Sequence, residues 1–351
     1  MFSQDHTFAG NPLDRAEYIR RDEEAIQELI KSKEGKYLVF DRLKVHVDEE
    51  GQLKWLKQTD LPSLSQQPAL LGIDDDKPHF ALDLSDTPWV TDKKFADCRT
   101  TAMHISGPET GILAQARSQL DWHRKNRFCA VCGSKNRKER GGQVLRCTGC
   151  ERHIFPRTDP VVIMLIIDAS NEERCLLGQG KGRMVKSNFY SALAGFIDQG
   201  ESIEEAVRRE VQEESQVKVG HVQYHSSQPW PFPSSLMIGC HGLAVSKEIV
   251  VRETGSITGS IEGDRIEIHG HMDGKISGED VIIGSTGTVK GDVEFGNNLR
   301  TENGADIDGY IKKTNSSKSK LTGDFLFKKK DKKEPSEAED RPDVVNKEAI
   351  A

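Results

Sequence analysis

Residues 195–217 read GFIDQGESIEEAVRREVQEESQV, and this stretch decides the fold around it. Ser202 and Glu205 form an S-x-x-E capping box, which starts a helix near Glu201. Ile203, Val207 and Val211 recur at i, i+4 and i+8 and predict the buried stripe. On a helical wheel Glu210, Glu213 and Glu214 fall within about 100° of one another. Three carboxylates on one face repel, so the cluster destabilises the helix unless cations neutralise it. Hard oxygen ligands of this kind suit Mg2+ or Mn2+. The competing reading is a solvated acidic face. Arg209 beside the cluster, and Gly195 and Gly200 in the loop leading into it, weigh against that reading.

Upstream lie Cys129-x2-Cys132 and Cys147-x2-Cys150, with fourteen residues between the pairs. Each pair suits a tight turn that presents two thiolates, and four thiolates complete a closed tetrahedral shell around Zn2+. Such a site is structural, one zinc per chain. The alternatives are unmetallated pairs or a redox pair, and nothing nearby resembles a thioredoxin βαβ unit. Cys98, Cys175 and Cys240 are expected to be buried thiols. No apolar run nears the ~20 residues a membrane helix needs. No export signal is visible, so paired cysteines point to metal in a reducing compartment, the cytoplasm. The net charge of −7 argues against a nucleic-acid-binding zinc-ribbon protein.

With 351 residues the chain is long enough for two or three domains. Residues 1–125 look mixed α and β. Leu13–Lys33 and Ile112–Asn126 have a helical pattern, and Tyr37–Phe40 and Phe80–Leu84 look like strands. From residue 255 glycine becomes frequent, and Gly259, Gly274, Gly291 and Gly309 lie 15, 17 and 18 residues apart. Each small β unit cannot bury its apolar face alone, so stacking into a short parallel β-helix is expected, with a β-meander as the alternative. Open rung ends would favour self-association through residues 255–326. Lys328–Ala351 is rich in charge and poor in large apolar residues, which predicts a disordered tail.

Gly195-x5-Glu201-x7-Arg209-Glu210-Val211-Gln212-Glu213-Glu214 resembles the Nudix box. One departure is Gln216, where that family usually has glycine. Ser227 to Ser235 resembles the SQPWPFPxS signature of the NADH pyrophosphatase subfamily. Phe155-Pro156-Arg157-Thr158-Asp159-Pro160 and Thr7 to Arg15 resemble its linker and its N-terminal segment. The resemblance covers residues 1–254. It implies metal-dependent hydrolysis of NAD(H) to AMP and NMN(H), with NAD-capped RNA as a further substrate, and a homodimer formed through the Nudix part. It further implies Glu210 and Glu214 as Mg2+ or Mn2+ ligands, with the Ala194 carbonyl beside them and Glu213 as a further ligand or proton acceptor. Gln228, Pro229, Trp230, Pro231, Phe232, Pro233, Ser234 and Ser235 match the substrate loop, and Phe155 and Arg99 fall near other substrate positions.

The match fades near Val250–Thr254, and Gly255 stands where the family carries a further metal glutamate. Residues 255–326 resemble a bactofilin, a polymer-forming cytoskeletal β-helix. The organisation expected is therefore a multidomain chain. It comprises an α+β domain (1–125), a zinc ribbon (126–155), a truncated Nudix α/β/α sandwich (156–254), right-handed parallel β-helix repeats (255–326) and a disordered tail (327–351). The function expected is an NAD(H) diphosphatase slowed by the missing part. The alternative is a bactofilin-like scaffold carrying an inactive Nudix remnant.

Overall fold

The structure, a computed structural model, describes residues 6–64, 66–178, 190–246 and 248–314. The expected tail and residues 315–326 lie outside the described residues. Among the described residues no helix is long and apolar enough to cross a membrane.

The chain opens with α1 (Glu17–Arg20) and α2 (Glu23–Lys31), followed by β1 (Lys36–Asp41), β2 (Lys44–His46), β3 (Trp55–Leu56), β4 (Ala69–Asp74), β5 (Lys77–Asp83) and β6 (Phe95–Ala96). Then come α3 (Cys98–Ala102) and the long α4 (Gly107–Lys125). The six strands form one sheet in the order β4-β5-β1-β2-β6, with β3 also on β1. Alternation along β1 explains the layering. Leu38 and Phe40 pack with Leu113, Ala116 and Leu120 of α4, while Tyr37 and Val39 pack with Ile26 of α2. The helical pattern over Leu13–Lys33 is two short helices. Asp22 breaks them apart and caps the second, accepting from Glu24 N at 3.0 Å and Ala25 N at 3.1 Å.

A small antiparallel sheet of β7 (Asn136–Glu139), β8 (Val144–Cys147) and β9 (His153–Ile154) carries the cysteine turns. Arg20 ties it to the first domain. Its guanidinium is almost wholly buried and donates to the carbonyls of Leu70 (2.9 Å) and Arg140 (3.2 Å). Burial, then the nearby Arg15 charge, lowers its pKa to about 10.

Next are β10 (Asp159–Asp168), β11 (Asn171–Leu176), β12 (Leu193–Phe196), α5 (Ile203–Ser215), β13 (Val219–Trp230) and β14 (Ser235–Ala244). β10 pairs in parallel with β14 and antiparallel with β11 and β12, and β13 closes the sheet beside β14. Val162, Met164 and Ile166 meet Ala206, Val207 and Val211 of α5 in a core of their own. Ile163, Leu165 and Ile167 turn to the opposite face. They are only partly buried there, and Phe196 (60% exposed) and Leu243 (38%), which pair with Val161 and Ile167 along the ladder, remain open. Cys98 and Cys240 are buried as expected. Cys175 is exposed, because it lies on the edge strand β11.

The last group is β15 (Glu248–Val251), β16 (Ser256–Ile268), β17 (His271–Ile283), β18 (Thr288–Lys290), β19 (Val293–Thr301), β20 (Asp306–Asp308) and β21 (Ile311–Lys313). Every pairing among them is parallel. Ser256 pairs with His271, His271 with Thr288 and Thr288 with Asp306, so the offsets are the 15, 17 and 18 residues of the glycine spacing. Ile266, Ile268, Met272, Ile276, Val281 and Val289 form its core. Gly259, Gly274, Gly291 and Gly309 stack in a column. A Cβ on Gly274 would lie 1.9 Å from the Gly259 carbonyl oxygen, one on Gly291 2.1 Å from that of Gly274, and one on Gly309 1.9 Å from that of Gly291. Ile249 packs against both this core and the α5 core, which joins the two.

Candidate functional site

The acidic helix begins as its capping box requires. Ser202 Oγ accepts from Glu205 N (3.3 Å), and the Glu205 carboxylate accepts from Ser202 N (2.7 Å). Val207 and Val211 are buried and Ile203 packs at the edge of the same core, so the opposite face presents the glutamates. Arg209 organises them. It donates from Nε to Glu201 Oε1 (2.8 Å), from Nη1 to Glu210 (2.9 Å) and Glu213 (3.3 Å), and from Nη2 to Glu201 Oε2 (2.9 Å) and the Phe196 carbonyl (2.8 Å). Arg209 in turn holds the Glu201 carboxyl below the usual carboxylate range.

Ala194 and Gly195 lie on β12, opposite Ile163 and Val162 of β10. A Cβ on Gly195 would fall 1.8 Å from Glu210 Cδ, so the glycine is what lets the Glu210 carboxylate sit against the strand. Glu214 is reached by solvent, yet desolvation by its neighbours, then the Glu210 and Glu213 charges, push its pKa up. A bound cation would offset both the desolvation and the charges of the neighbouring glutamates. Glu210, Glu213, Glu214 and the Ala194 carbonyl offer oxygen donors only, the ligand chemistry that suits Mg2+ or Mn2+. Gln216 adopts φ 64° at the helix end. Its own side chain softens the strain, donating to the Gln212 carbonyl (2.7 Å) and accepting from Gln212 Nε2 (2.9 Å).

The proline-aromatic signature is a hairpin. Gln228, Pro229 and Trp230 end β13, Pro231, Phe232, Pro233 and Ser234 turn, and Ser235 starts β14. Trp230 and Phe232 meet edge to face (5.4 Å), and both rings meet Phe8, at 5.9 and 5.7 Å. Arg99 stacks over Phe232 (4.2 Å) and Trp230 (5.8 Å), and Arg117 over Phe232 (4.5 Å). Arg117 also donates to the Pro231 carbonyl and Gln228 to the Thr7 carbonyl. The structure thus brings Arg99 to the hairpin, whereas Phe155 stays 59% exposed beside His153. Phe8 and Arg117 escaped sequence reasoning as site residues. The one signal for Phe8 was its place in the Thr7–Arg15 segment.

A cleft of about 800 Å3 opens between this hairpin, α4 and residues 156–158. None of the clustered glutamates lines it. Along β10, the Asp159–Ser235 pair at the cleft is four residues from the Ile163–Ala194 pair, or about 13 Å.

The four ribbon cysteines place their sulfurs within 4.8 Å of one another. Backbone N–H groups of Val131 and Gly149 point at Cys129 and Cys147 sulfur, at 3.4 and 3.3 Å. Backbone donation at Ser134 pulls the Cys132 thiol down to about 6. This is the geometry and donor set of a structural zinc site.

Family models match in series. The NADH pyrophosphatase-like rudimentary NUDIX domain matches residues 34–122, the NADH pyrophosphatase zinc ribbon domain 124–155 and the NUDIX domain 157–266. Bactofilin, polymer-forming cytoskeletal, matches 240–312 and overlaps the NUDIX match. The chain is 36% identical over 209 residues to the NAD-capped RNA hydrolase NudC of Pseudomonas aeruginosa, covering 59% of this chain and 73% of that protein. It is 50% identical over 157 residues to the NAD-capped RNA hydrolase NUDT12 of Homo sapiens, covering 42% of this chain and 33% of that protein. The chain therefore spans about a third of the length of the human relative. A crystal structure of a NUDIX hydrolase from Nitrosomonas europaea aligns with TM-score 0.29 and 19% identity, over 34% of this chain and 68% of that one.

Proposed function

The chain belongs to the NADH pyrophosphatase family of Nudix hydrolases, and from that premise we propose that it hydrolyses the diphosphate of NAD(H) to AMP and NMN(H), with NAD-capped RNA as a further substrate. The observation that carries the reading is the Glu210 carboxylate seated against Gly195, next to Ala194 and one helical turn from the Glu214 carboxyl, whose pKa is raised. Glu210, Glu214 and the Ala194 carbonyl would hold Mg2+ or Mn2+. The metal, when bound, supplies positive charge that offsets the diphosphate and favours in-line attack by water. Arg209 fixes the carboxylates, and Glu213, paired with Arg209 at 3.3 Å yet 60% exposed on its side chain, is a further ligand or the acceptor of a proton from the attacking water. The hairpin Gln228–Ser235, with Arg99, bounds the substrate on its other side, and Phe155 adds an exposed ring.

Turnover is slow in this reading, because Gly255 stands where the family carries a further glutamate. The domain limits proposed are 1–125, 126–155, 156–254 and 255–326, with 327–351 as a tail. A homodimer forms through the Nudix part. The parallel ladder supports a second role: its strands are rungs of a right-handed parallel β-helix. β20 and β21 pair on one side only among the described residues, which leaves an edge for a second copy. An inert Nudix remnant is not favoured, since both family glutamates are present and clustered.

The test is NADH hydrolysis by the purified full chain with Mg2+ or Mn2+, followed by AMP release. Glu214→Gln should lower kcat by about 100-fold or more. Turnover within about twofold of the parent would remove Glu214 from the site.

A further inference from the structure

A polar groove of about 740 Å3 lies where the first domain meets the ribbon. No residue of the hairpin and none of the clustered glutamates lines it. Arg42, Arg124, Arg127, Lys135 and Lys138 give it five cations against two carboxylates, Asp83 and Asp86. The side chains of Arg42, Arg124 and Lys135 have no ion-pair or hydrogen-bond partner among the described residues, and Arg127 meets only the Phe128 ring, at 5.8 Å. Lys138 donates to the Gln67 carbonyl (2.7 Å), and burial lowers its pKa to about 8, with the Asp83 charge offsetting only part of that. An anion in the groove would favour the charge that burial disfavours. The neutral donors of the lining are already engaged within the protein. Gln66 donates to the Asp83 carbonyl, Ser85 to the Asp83 carboxylate and Thr87 to the Leu84 carbonyl. Asn126 donates to the Trp122 carbonyl and Asn136 to the Asn126 carbonyl. Apart from its cations, the groove therefore offers a ligand mainly acceptors: the Asp83 and Asp86 carboxylates and Asn126 Oδ1.

We infer that this groove binds a phosphorylated sugar or polyol, its phosphate held by Arg124, Arg127 and Lys135 and its hydroxyls donating to Asp83, Asp86 and Asn126. Unpaired cations give a phosphate charge-assisted hydrogen bonds. The donors that meet the acceptors are neutral hydroxyls, because the excess of cations repels an ammonium. Phe128, 51% exposed, adds an apolar ring beside them. The volume lies in the range of small-molecule sites. Residues 83–87, the end of α4 and the ribbon all contribute, so the ligand binds across the seam between first domain and ribbon. The inference stands on the groove alone and does not need the hydrolysis reading to be right.

The full chain is titrated by calorimetry with glucose 6-phosphate and with glycerol 3-phosphate, with no added divalent metal. Saturable binding of at least one, with Kd below about 1 mM, is expected. Glucose and inorganic phosphate each lack half of the pattern and should bind at least about tenfold more weakly. Arg124→Gln and Lys135→Gln should each weaken the sugar phosphate by about tenfold. Asp86→Ala should weaken it by about threefold or more although it removes a charge that repels phosphate, because hydroxyls lose their acceptor. All three side chains are exposed and unpaired, so folding should not suffer. Excess AMP should leave the Kd within about twofold, which separates the groove from the hydrolytic site. No saturation with either compound, an unchanged Kd in both cation variants, tighter binding in Asp86→Ala, or displacement by AMP would overturn the site. So would glucose or inorganic phosphate binding as tightly as the sugar phosphate, and a single-stranded oligonucleotide displacing it at lower concentration would assign the groove to nucleic acid instead.

Discussion

Gly195 is the most exacting single position in the structure. Any side chain there drives its Cβ into the Glu210 carboxylate. Gly195→Ala should displace Glu210 and cut NADH turnover by about 100-fold or more, while the far-ultraviolet dichroism and Tm stay near the parent's. A large fall in Tm with retained turnover would contradict the geometry. Gln216 teaches the opposite lesson. Sequence alone predicts that Gln216→Gly relieves about 1–2 kcal/mol of left-handed strain. The structure shows two side-chain hydrogen bonds to Gln212 that glycine would lose, each worth about 0.5–1.5 kcal/mol. The two effects nearly cancel, so the substitution should move urea stability by less than about 1 kcal/mol. At this scale the residues that touch near neighbours in sequence were legible: Ser202 with Glu205, Glu210 with Glu213 and Glu214. Phe8 against Trp230 was not, because contact across more than two hundred residues leaves no local pattern.

Elements were read best where period and capping agree. The stripe Ile203, Val207 and Val211 gave α5, and the two Cys-x-x-Cys turns gave the ribbon, because both depend on spacing alone. Over Leu13–Lys33 the helical pattern covers two helices, and the break between them, at the Asp22 cap, is not marked in it. The first domain also carries a pH dependence the sequence does not show. Burial, then the Lys54 and Lys93 charges, lowers His46 to about 4, and burial, then Lys138, lowers His123 to about 3. Both rings are folded in neutral. In the unfolded chain they take up protons below about 6.5, so that state gains protons as pH falls. Stability is therefore full above about pH 6.5 and is lost progressively as pH falls towards 4. Urea midpoints measured from pH 7.5 to 4.5 should drop by amounts equivalent to several kcal/mol, and His46→Phe should flatten the profile. A profile level down to pH 5 would argue against neutral buried histidines.

Across the whole molecule, the ribbon is a keystone between parts that were recognised separately. The Arg140 carbonyl accepts from Arg20, and the Gly142 carbonyl accepts from Gln119 (3.0 Å) and His123 (2.7 Å). Stripping zinc should therefore lower the Tm of the first domain as well as unfold the ribbon. Metal analysis should give about one zinc per chain. An unchanged first-domain transition in chelator would show that the ribbon is an appendage. The repeat contributes an exposed ladder edge, so light scattering should show large species for the full chain and small ones for a chain ending at residue 254. The stacked column Gly259, Gly274, Gly291 and Gly309 has a consequence for how such a chain can change length. Each glycine is matched to the carbonyl of the rung before it, so the ladder can grow or shrink only in whole rungs. Excision of residues 275–291 should re-close the stack with Gly274 in the role of Gly291, whereas removal of one or two residues from within a paired strand should break it. Length in this part of the molecule is thus counted in steps of about seventeen residues, and small insertions or deletions belong at the corners between strands, outside the column.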